Sequence, residues 1–205
     1  MSIVKKCSAV GQGVQSVSDT PNVLQNKKAP AAPPDRYLRP IFEQLFGETH
    51  LLDYSREDLI RMEQASVYLL KIGGFPLEKY PFRWLAEFGP ASRMLTYDCA
   101  WGQNIPIRGI VFRKEFQTII YRLRAAIELL NTETYSVADW LQCMAAIHYL
   151  RTYIMKWNPT VDEVIDETCR RLPRFKDRAF VADAEKQLNT LLPDFSQIKN
   201  EKEKI

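Results

Sequence analysis

Residues 136–157 read SVADWLQCMAAIHYLRTYIMKW, and this stretch decides the fold. Its apolar side chains recur at alternating intervals of three and four residues, which is the period of an α-helix with one apolar face. They are Trp140, Cys143, Ile147, Leu150, Ile154 and Trp157. Ser136 and Asp139 stand at the positions of an N-cap and its N3 partner. A stripe with this many apolar side chains predicts a helix at the centre of the core.

The preceding segment, residues 112–130, predicts an amphipathic helix with a basic outer face. Its apolar positions follow the same period. They are Phe112, Phe116, Ile119, Ile120, Leu123, Ile127 and Leu130. The opposite side carries Arg113, Lys114 and Arg124. A solvated helix surface is the usual explanation of such charges, and contact with a nucleic-acid backbone is the alternative.

Three more helices are predicted nearer the N-terminus, each from an apolar period with start or stop signals. The first begins near Asp35 and ends at Gly47. The second begins at Ser55 and ends in the glycines at 73–74, which favour helix termination. The third is a short helix at 80–89, with a proline in its first turn.

Residues 94–111 are the least helical part of the body, because two glycines and a proline interrupt the period. A small β-hairpin is expected there. Beyond the central stretch, Thr160 predicts the start of a further helix, and the last helix is predicted to begin at Asp177 and to stop at Pro193. Together these segments predict a single, mainly α-helical domain of about seven helices.

Composition predicts the domain organisation. Residues 1–34 are rich in Ser, Gln, Asn and Gly and end in APAAPP, which is typical of a flexible arm. The helical domain is assigned to residues 35–193, and residues 194–205 are predicted to form a polar tail. The net charge is +3, with basic ends and a mildly acidic body. No segment has the ~18 apolar residues of a membrane span or the apolar core of a signal peptide, so we expect a cytoplasmic protein without membrane insertion.

An acidic run, VDEVIDETC, leads directly into the basic run RRLPRFKDR near the C-terminus. Carboxylates in the first turn of a helix and cations in its last turn complement the helix dipole, which explains Arg170 and Arg171 locally. Three cations after the proline have no such explanation. They are Arg174, Lys176 and Arg178. With Phe175 among them as a stacking ring, they leave two alternatives open: a polyanion site or solvated loop charges.

Catalytic and metal-binding signatures are absent from the sequence. The two histidines, His50 and His148, are far apart, and the four cysteines are too scattered for a zinc site. His148 is expected to be a hydrogen-bonded core residue, and Cys99 a structural cysteine. No nucleotide-binding loop or nucleophile motif is present. We therefore predict a binding protein without a cofactor, and not an enzyme.

The leading hypothesis is an assembly protein of the nucleoprotein or coat type, by analogy of architecture and charge. Its predicted partners are further copies of the chain and RNA or another single-stranded nucleic acid. The alternative is an adaptor or chaperone-like subunit of a larger complex, whose partners are other protein subunits. The residues predicted to bind nucleic acid are Arg113, Lys114, Arg124, Arg170, Arg171, Arg174, Lys176 and Arg178.

Overall fold

The computed structural model describes residues 35–47, 54–86, 88–95, 111–155 and 158–202. Within these ranges the chain forms six α-helices, a π-helical segment and a two-stranded antiparallel hairpin, which confirms a mainly α fold. In chain order they are α1 (Asp35–Phe46), α2 (Arg56–Ile72), β1 (Arg83–Leu85), β2 (Gly89–Ala91), α3 (Lys114–Glu128), α4 (Val137–Tyr149), the π-helical segment (Leu150–Ile154), α5 (Val161–Arg171) and α6 (Arg178–Lys202). The predicted arm at 1–34 and most of the predicted hairpin at 94–111 lie outside the described residues.

Helix α4 lies at the centre of the core. It packs against α2, α5, α6 and β2, and its side chains from 140 to 147 are all buried. Trp140 is only 6% exposed, and its indole Nε1 donates a hydrogen bond to the backbone oxygen of Asn131 at 2.8 Å. The prediction of a central helix is therefore confirmed.

The predicted helix starts are also confirmed. The side chains of Ser136 and Asp139 each bond to the other's backbone N–H, and Thr160 and Glu163 form the same reciprocal capping box. The hydroxyl of Ser55 accepts a hydrogen bond from a backbone N–H in the first turn of α2. Each cap contributes roughly 0.5–2 kcal/mol. Local sequence thus sets where α2, α4 and α5 begin.

Helix α4 ends earlier than its apolar repeat predicts. From Leu150 the backbone widens into a π-helical segment, and Met155 is already extended, with φ −84° and ψ 98°. The N–H of Met155 bonds to the carbonyl of Leu150 at 2.8 Å, one residue further back than in an α-helix. Beyond Leu150 the stripe is no longer fully buried: Ile154, which the repeat places on it, is half-buried, and Trp157 lies outside the described residues. Tyr153, which is not part of the stripe, is 60% exposed.

The prediction of a short helix at 80–89 is wrong, because these residues belong to the hairpin. Strand β1 pairs antiparallel with β2, with Arg83 opposite Ala91. Gly89 has a φ of 69°, which glycine adopts readily, and an added Cβ would lie 3.6 Å from that of Ala146 on α4. Close packing on the central helix, together with the break at Gly89–Pro90, outweighs the helical pattern of this segment.

The predicted stop of the last helix at Pro193 is also wrong. Helix α6 begins after Asp177, whose side chain accepts a hydrogen bond from the N–H of Ala179 at 2.9 Å, and it continues to Lys202. Pro193 lies within it and is exposed. A proline ring on the solvent side of a helix removes one backbone hydrogen bond without ending the helix.

Candidate nucleic-acid interface

The three cations predicted to form a polyanion site have different environments. The guanidinium of Arg174 lies 3.5 Å from the carboxylate of Glu57, and that of Arg178 lies 3.1 Å from the carboxylate of Asp162. Lys176 is exposed and forms no ion pair with any described residue. Two of the three positive charges therefore have local partners that the sequence did not reveal.

Phe175, predicted as a stacking ring beside those cations, is part of the core. Its side chain is fully buried, and its ring centroid lies 5.5 Å from that of Phe180 on α6. A ring with both faces covered by protein cannot stack on a base. That prediction is therefore wrong, and the loop after α5 is held to the core by this phenylalanine.

Arg170 and Arg171 serve their own helix, as the dipole argument predicts. Both donate to the carboxylate of Glu167, with N–O distances of 2.6 and 2.5 Å. The hydrogen bond from Arg170, together with that from Arg171, lowers the pKa of Glu167 to about 2. Asp166, four residues before Arg170, lies 3.3 Å from Arg178. The acidic side chains of α5 thus pair with the arginines at the end of the same helix and with Arg178 at the start of α6.

The basic residues of α3 lie on a different part of the molecule from those of α5. Arg113 and Lys114 are exposed, and Arg124 donates to Glu128 at 2.8 Å. Among the described elements, α3 packs mainly on α1, α6 and α2, whereas α5 packs on α6, α4 and the π-helical segment. Three of the eight predicted residues therefore lie at or on α3, and the other five lie at the end of α5, in the loop after it and at the start of α6.

A basic cleft that the sequence did not predict lies beside the hairpin. It has a volume of about 390 Å³, and its walls include Arg83, Trp84, Arg93 and Met94. Arg83 and Arg93 are both exposed, and neither forms an ion pair with a residue in the described ranges. No carboxylate in the described ranges therefore neutralises them.

Aromatic rings continue from this cleft onto the end of the central helix. The ring centroid of Trp84 lies 6.2 Å from that of Tyr149, which lies 4.9 Å from that of Tyr153. The guanidinium of Arg171 lies over the Trp84 ring, 5.5 Å from its centroid. Burial raises the pKa of Tyr149 above its ordinary value of 10.0, so its phenol is neutral at pH 7. We call the group the hairpin surface, and it consists of Arg83, Trp84, Arg93, Tyr149, Tyr153 and Arg171.

A sequence signal for the hairpin was present in the Gly89–Pro90 dipeptide, which favours a turn. In the structure Gly89 and Pro90 are the first residues of β2, and the turn just precedes them, where the N–H of Phe88 bonds to the carbonyl of Leu85 at 3.1 Å. Arg83 lies opposite Ala91, so Arg93 follows just beyond the paired strand ends. Tyr149 and Tyr153 are four residues apart, a spacing that brings side chains together on a helix, but the proximity of Trp84 to them has no local signal.

The remaining candidate groups have structural environments. Nδ1 of His148 shares a hydrogen bond with the hydroxyl of Tyr68 at 2.8 Å, as expected of a core histidine. Cys143 and Cys169 are free thiols whose pKa values are raised by burial, which makes them poor nucleophiles. His50 and Cys99 lie outside the described residues.

Within the described ranges, no three His, Cys, Asp or Glu side chains are grouped so that they could hold a metal ion. No helix in the described part of the chain combines the length and apolar character that crossing a membrane requires. Comparison with models of protein families, with curated proteins and with solved structures gives no match to this chain. The function must therefore be argued from the residues of the chain itself.

Proposed function

We propose that this protein binds single-stranded nucleic acid, RNA in the first instance, through the hairpin surface. The observation that carries the proposal is the pair of exposed arginines, Arg83 and Arg93, which line one cleft together with Trp84 and have no carboxylate partners among the described residues. Unpaired cations supply phosphate contacts, and a neighbouring ring supplies a stacking platform.

A single strand suits this surface better than a duplex. The rings of Trp84, Tyr149 and Tyr153 succeed one another at centroid distances of 6.2 and 4.9 Å, and only unpaired bases can be turned toward such a row. Stacking of a base on an aromatic ring contributes roughly 1–3 kcal/mol and tolerates any base. The proposed binding is therefore sequence-tolerant, as a nucleoprotein or coat subunit in the cytoplasm requires.

Exposed cations elsewhere would extend the path of the strand. Lys176, after α5, is exposed and forms no ion pair with a described residue. Arg113 and Lys114, at the start of α3, lie on a different part of the molecule and are not on this path. Arg174 and Arg178 would contribute less, because carboxylates already lie within 4 Å of them. Assembly of several copies along one strand is part of this proposal.

The test is fluorescence anisotropy with a labelled 20-nucleotide poly-uridine RNA over a series of salt concentrations. We expect the variant with both Arg83→Ala and Arg93→Ala to bind more weakly and to lower the slope of log affinity against log salt by about 1.4, at roughly 0.7 per phosphate contact. The matched control carries Arg113→Ala and Lys114→Ala, which removes the same charge from an exposed helix.

Two results would count against the proposal. If the control lowers the slope as much as the hairpin variant, the charge of the whole protein and not the hairpin surface governs binding. If the unmodified protein shows no salt-dependent binding to the RNA, nucleic-acid binding itself must be given up.

The adaptor function remains the second candidate, and one observation favours it. A cleft of about 340 Å³ is lined by Leu129, Tyr135 and Phe180, and Leu129 is 74% exposed. Apolar side chains exposed at a cleft are typical of protein-binding sites. Light scattering separates the two functions: large assemblies formed with RNA support the nucleoprotein proposal, and a defined complex with another protein in the absence of RNA supports the adaptor.

A further inference from the structure

Arg61 is a buried arginine that joins α2 to the start of α4. Its side chain is 5% exposed, and its Nη1 donates to Asp139 at 2.6 Å and to Gln142 at 3.2 Å. Its Nη2 donates to Asp58. Its Nε–H is buried and has no hydrogen-bond acceptor among the described residues. A buried arginine with one unused donor is uncommon, because leaving such a donor unmet destabilises the fold.

The unused edge of Arg61 belongs to a cleft that also contains Arg174. This cleft has a volume of about 500 Å³, within the range of ligand sites, and we call it the arginine cleft. Phe88, Leu172 and Pro173 form its apolar part. It therefore combines two guanidinium groups with an apolar wall.

One carboxylate oxygen of Glu57 lies between the two guanidinium groups. It is 3.5 Å from Nη1 of Arg174 and 4.0 Å from Nε of Arg61, too far for a good hydrogen bond to either. The Glu57 side chain is 67% exposed, so water competes for its carboxylate. Glu57 thus places a carboxylate between the two guanidinium groups but forms no good hydrogen bond to either.

The other two acids near Arg61 are committed to the fold. Asp139 caps α4 through its second oxygen as well as pairing with Arg61. Burial alone would raise the pKa of Asp139, but hydrogen bonds from Arg61 and Ser136 outweigh it and hold the pKa below its ordinary value. Asp58 accepts from Arg61 and from the N-cap hydroxyl of Ser55. Only Glu57 can leave without breaking a helix start.

We propose that the arginine cleft binds an acidic side chain of a partner protein, in a segment where a Glu or Asp stands next to an apolar residue. The incoming carboxylate takes the place of Glu57 between Arg61 and Arg174, and the neighbouring apolar side chain packs on Phe88, Leu172 and Pro173. Glu57 then acts as an internal competitor that weakens binding.

The charges of the cleft favour a carboxylate over a phosphate. Two arginines face three carboxylates, Glu57, Asp58 and Asp139, so the site has no surplus positive charge. An incoming carboxylate carries the same single negative charge as Glu57, so the exchange leaves the net charge between the two arginines unchanged. A phosphate group with nearly two charges would meet repulsion from Asp58 and Asp139, which cannot move away.

The experiment uses a labelled pentapeptide, acetyl-Gly-Leu-Glu-Leu-Gly-amide, and the same peptide with Gln in place of Glu. We expect the Glu peptide to bind the full chain at least about tenfold more tightly than the Gln peptide, as for hydrogen bonds to a charged group. Binding should weaken about tenfold in Arg174→Gln, and it should tighten about threefold in Glu57→Gln, which removes an exposed competing ion pair.

Lys176→Gln is the matched control, since Lys176 is an exposed cation two positions from Arg174 that forms no ion pair with a described residue. It should leave peptide binding unchanged. The proposal is overturned if the unmodified chain and Glu57→Gln bind the two peptides equally, or if the control weakens binding as much as Arg174→Gln. Thermal melting of each variant verifies that the fold is retained.

Peptide binding in the arginine cleft is independent of nucleic-acid binding. The hairpin variant and Arg174→Gln distinguish the two activities. The variant with Arg83→Ala and Arg93→Ala should bind the Glu peptide normally, because the hairpin surface does not include the two arginines of the cleft. If Arg174→Gln weakens RNA binding as strongly as the hairpin variant does, the cleft serves phosphates and the carboxylate assignment is wrong.

Discussion

The hairpin surface and the basic segment at 170–178 are both rich in arginine and share Arg171, but their other arginines have different neighbours. Four of the five cations at 170–178 lie beside a carboxylate, which belongs to Glu57, Asp162 or Glu167. Arg83 and Arg93 have no such partners within the described ranges. The number of basic residues in a segment therefore does not predict its capacity to bind a polyanion, because charge that is already paired attracts a ligand less.

The aromatic residues of the two regions differ in the same way. Phe175 is fully buried in the core, whereas Tyr153 is 60% exposed. The first can stabilise only the fold, and the second is free to contact a ligand.

The largest effect is expected for Phe175→Ala, which removes a fully buried ring. Such changes lower the free energy of unfolding by about 3–5 kcal/mol, through lost burial and the cavity left behind. Chemical denaturation followed by circular dichroism measures it. Tyr153→Ala is the control and should change stability by less than about 0.5 kcal/mol. Equal effects of the two substitutions would remove the distinction between the regions.

The next largest effect is expected on RNA binding, at Tyr153. Tyr153→Ala should weaken binding to single-stranded RNA by about 1–3 kcal/mol, the contribution of one stacked base. Tyr121→Ala is matched to it, because Tyr121 is 55% exposed but lies on α3. Anisotropy titrations of both variants give the comparison. Unchanged affinity in Tyr153→Ala would exclude this ring from the interface.

A smaller effect separates a paired arginine from an unpaired one. Arg178 contacts the carboxylates of Asp162 and Asp166 at the surface, so Arg178→Ala should lower stability by at most about 1 kcal/mol and change the salt dependence of RNA binding little. Arg83→Ala should leave stability unchanged and lower the salt slope by about 0.7. The opposite pattern would mean that carboxylate pairing does not decide which arginine binds.

The smallest effect is expected at Glu167, whose partner Arg170 is exposed and whose partner Arg171 is half-buried. Its pKa is about 2 in the folded protein, against an ordinary value of 4.5, so its contribution to stability is complete above about pH 4.5 and is lost as the pH falls toward 2. Glu167→Gln should therefore melt at a slightly lower temperature than the unmodified protein at pH 7, and the difference should vanish near pH 2. A difference that persists at low pH would point to packing instead of charge.

The sequence predicted the helical body well because its signals are local. The stripe from Trp140 to Leu150 and the capping pairs of Ser136 and Thr160 involve residues three or four positions apart, and a helix brings such residues together whatever surrounds it. It misplaced the strands at 83–91, because a two-stranded hairpin this short is marginal alone and depends on packing against α2 and α4.

For the candidate site, the sequence predicted the charges but not their partners. It identified Arg174 and Arg178 as cations without a local role, and it could not reveal that Glu57 lies beside the first. The hairpin surface was missed because its members come from the hairpin, the end of α4, the π-helical segment and the end of α5. No window of sequence contains all of them.

What the sequence by itself determined is therefore the set of elements whose physics is local: the apolar stripes, the helix starts and the mainly α class. Only the tertiary structure decided which positive charges are neutralised and which rings are buried. The physical reason is that ion pairing and burial depend on distance in space, and Arg61, Arg174 and Glu57 meet only after α2, α4 and the loop following α5 have packed together.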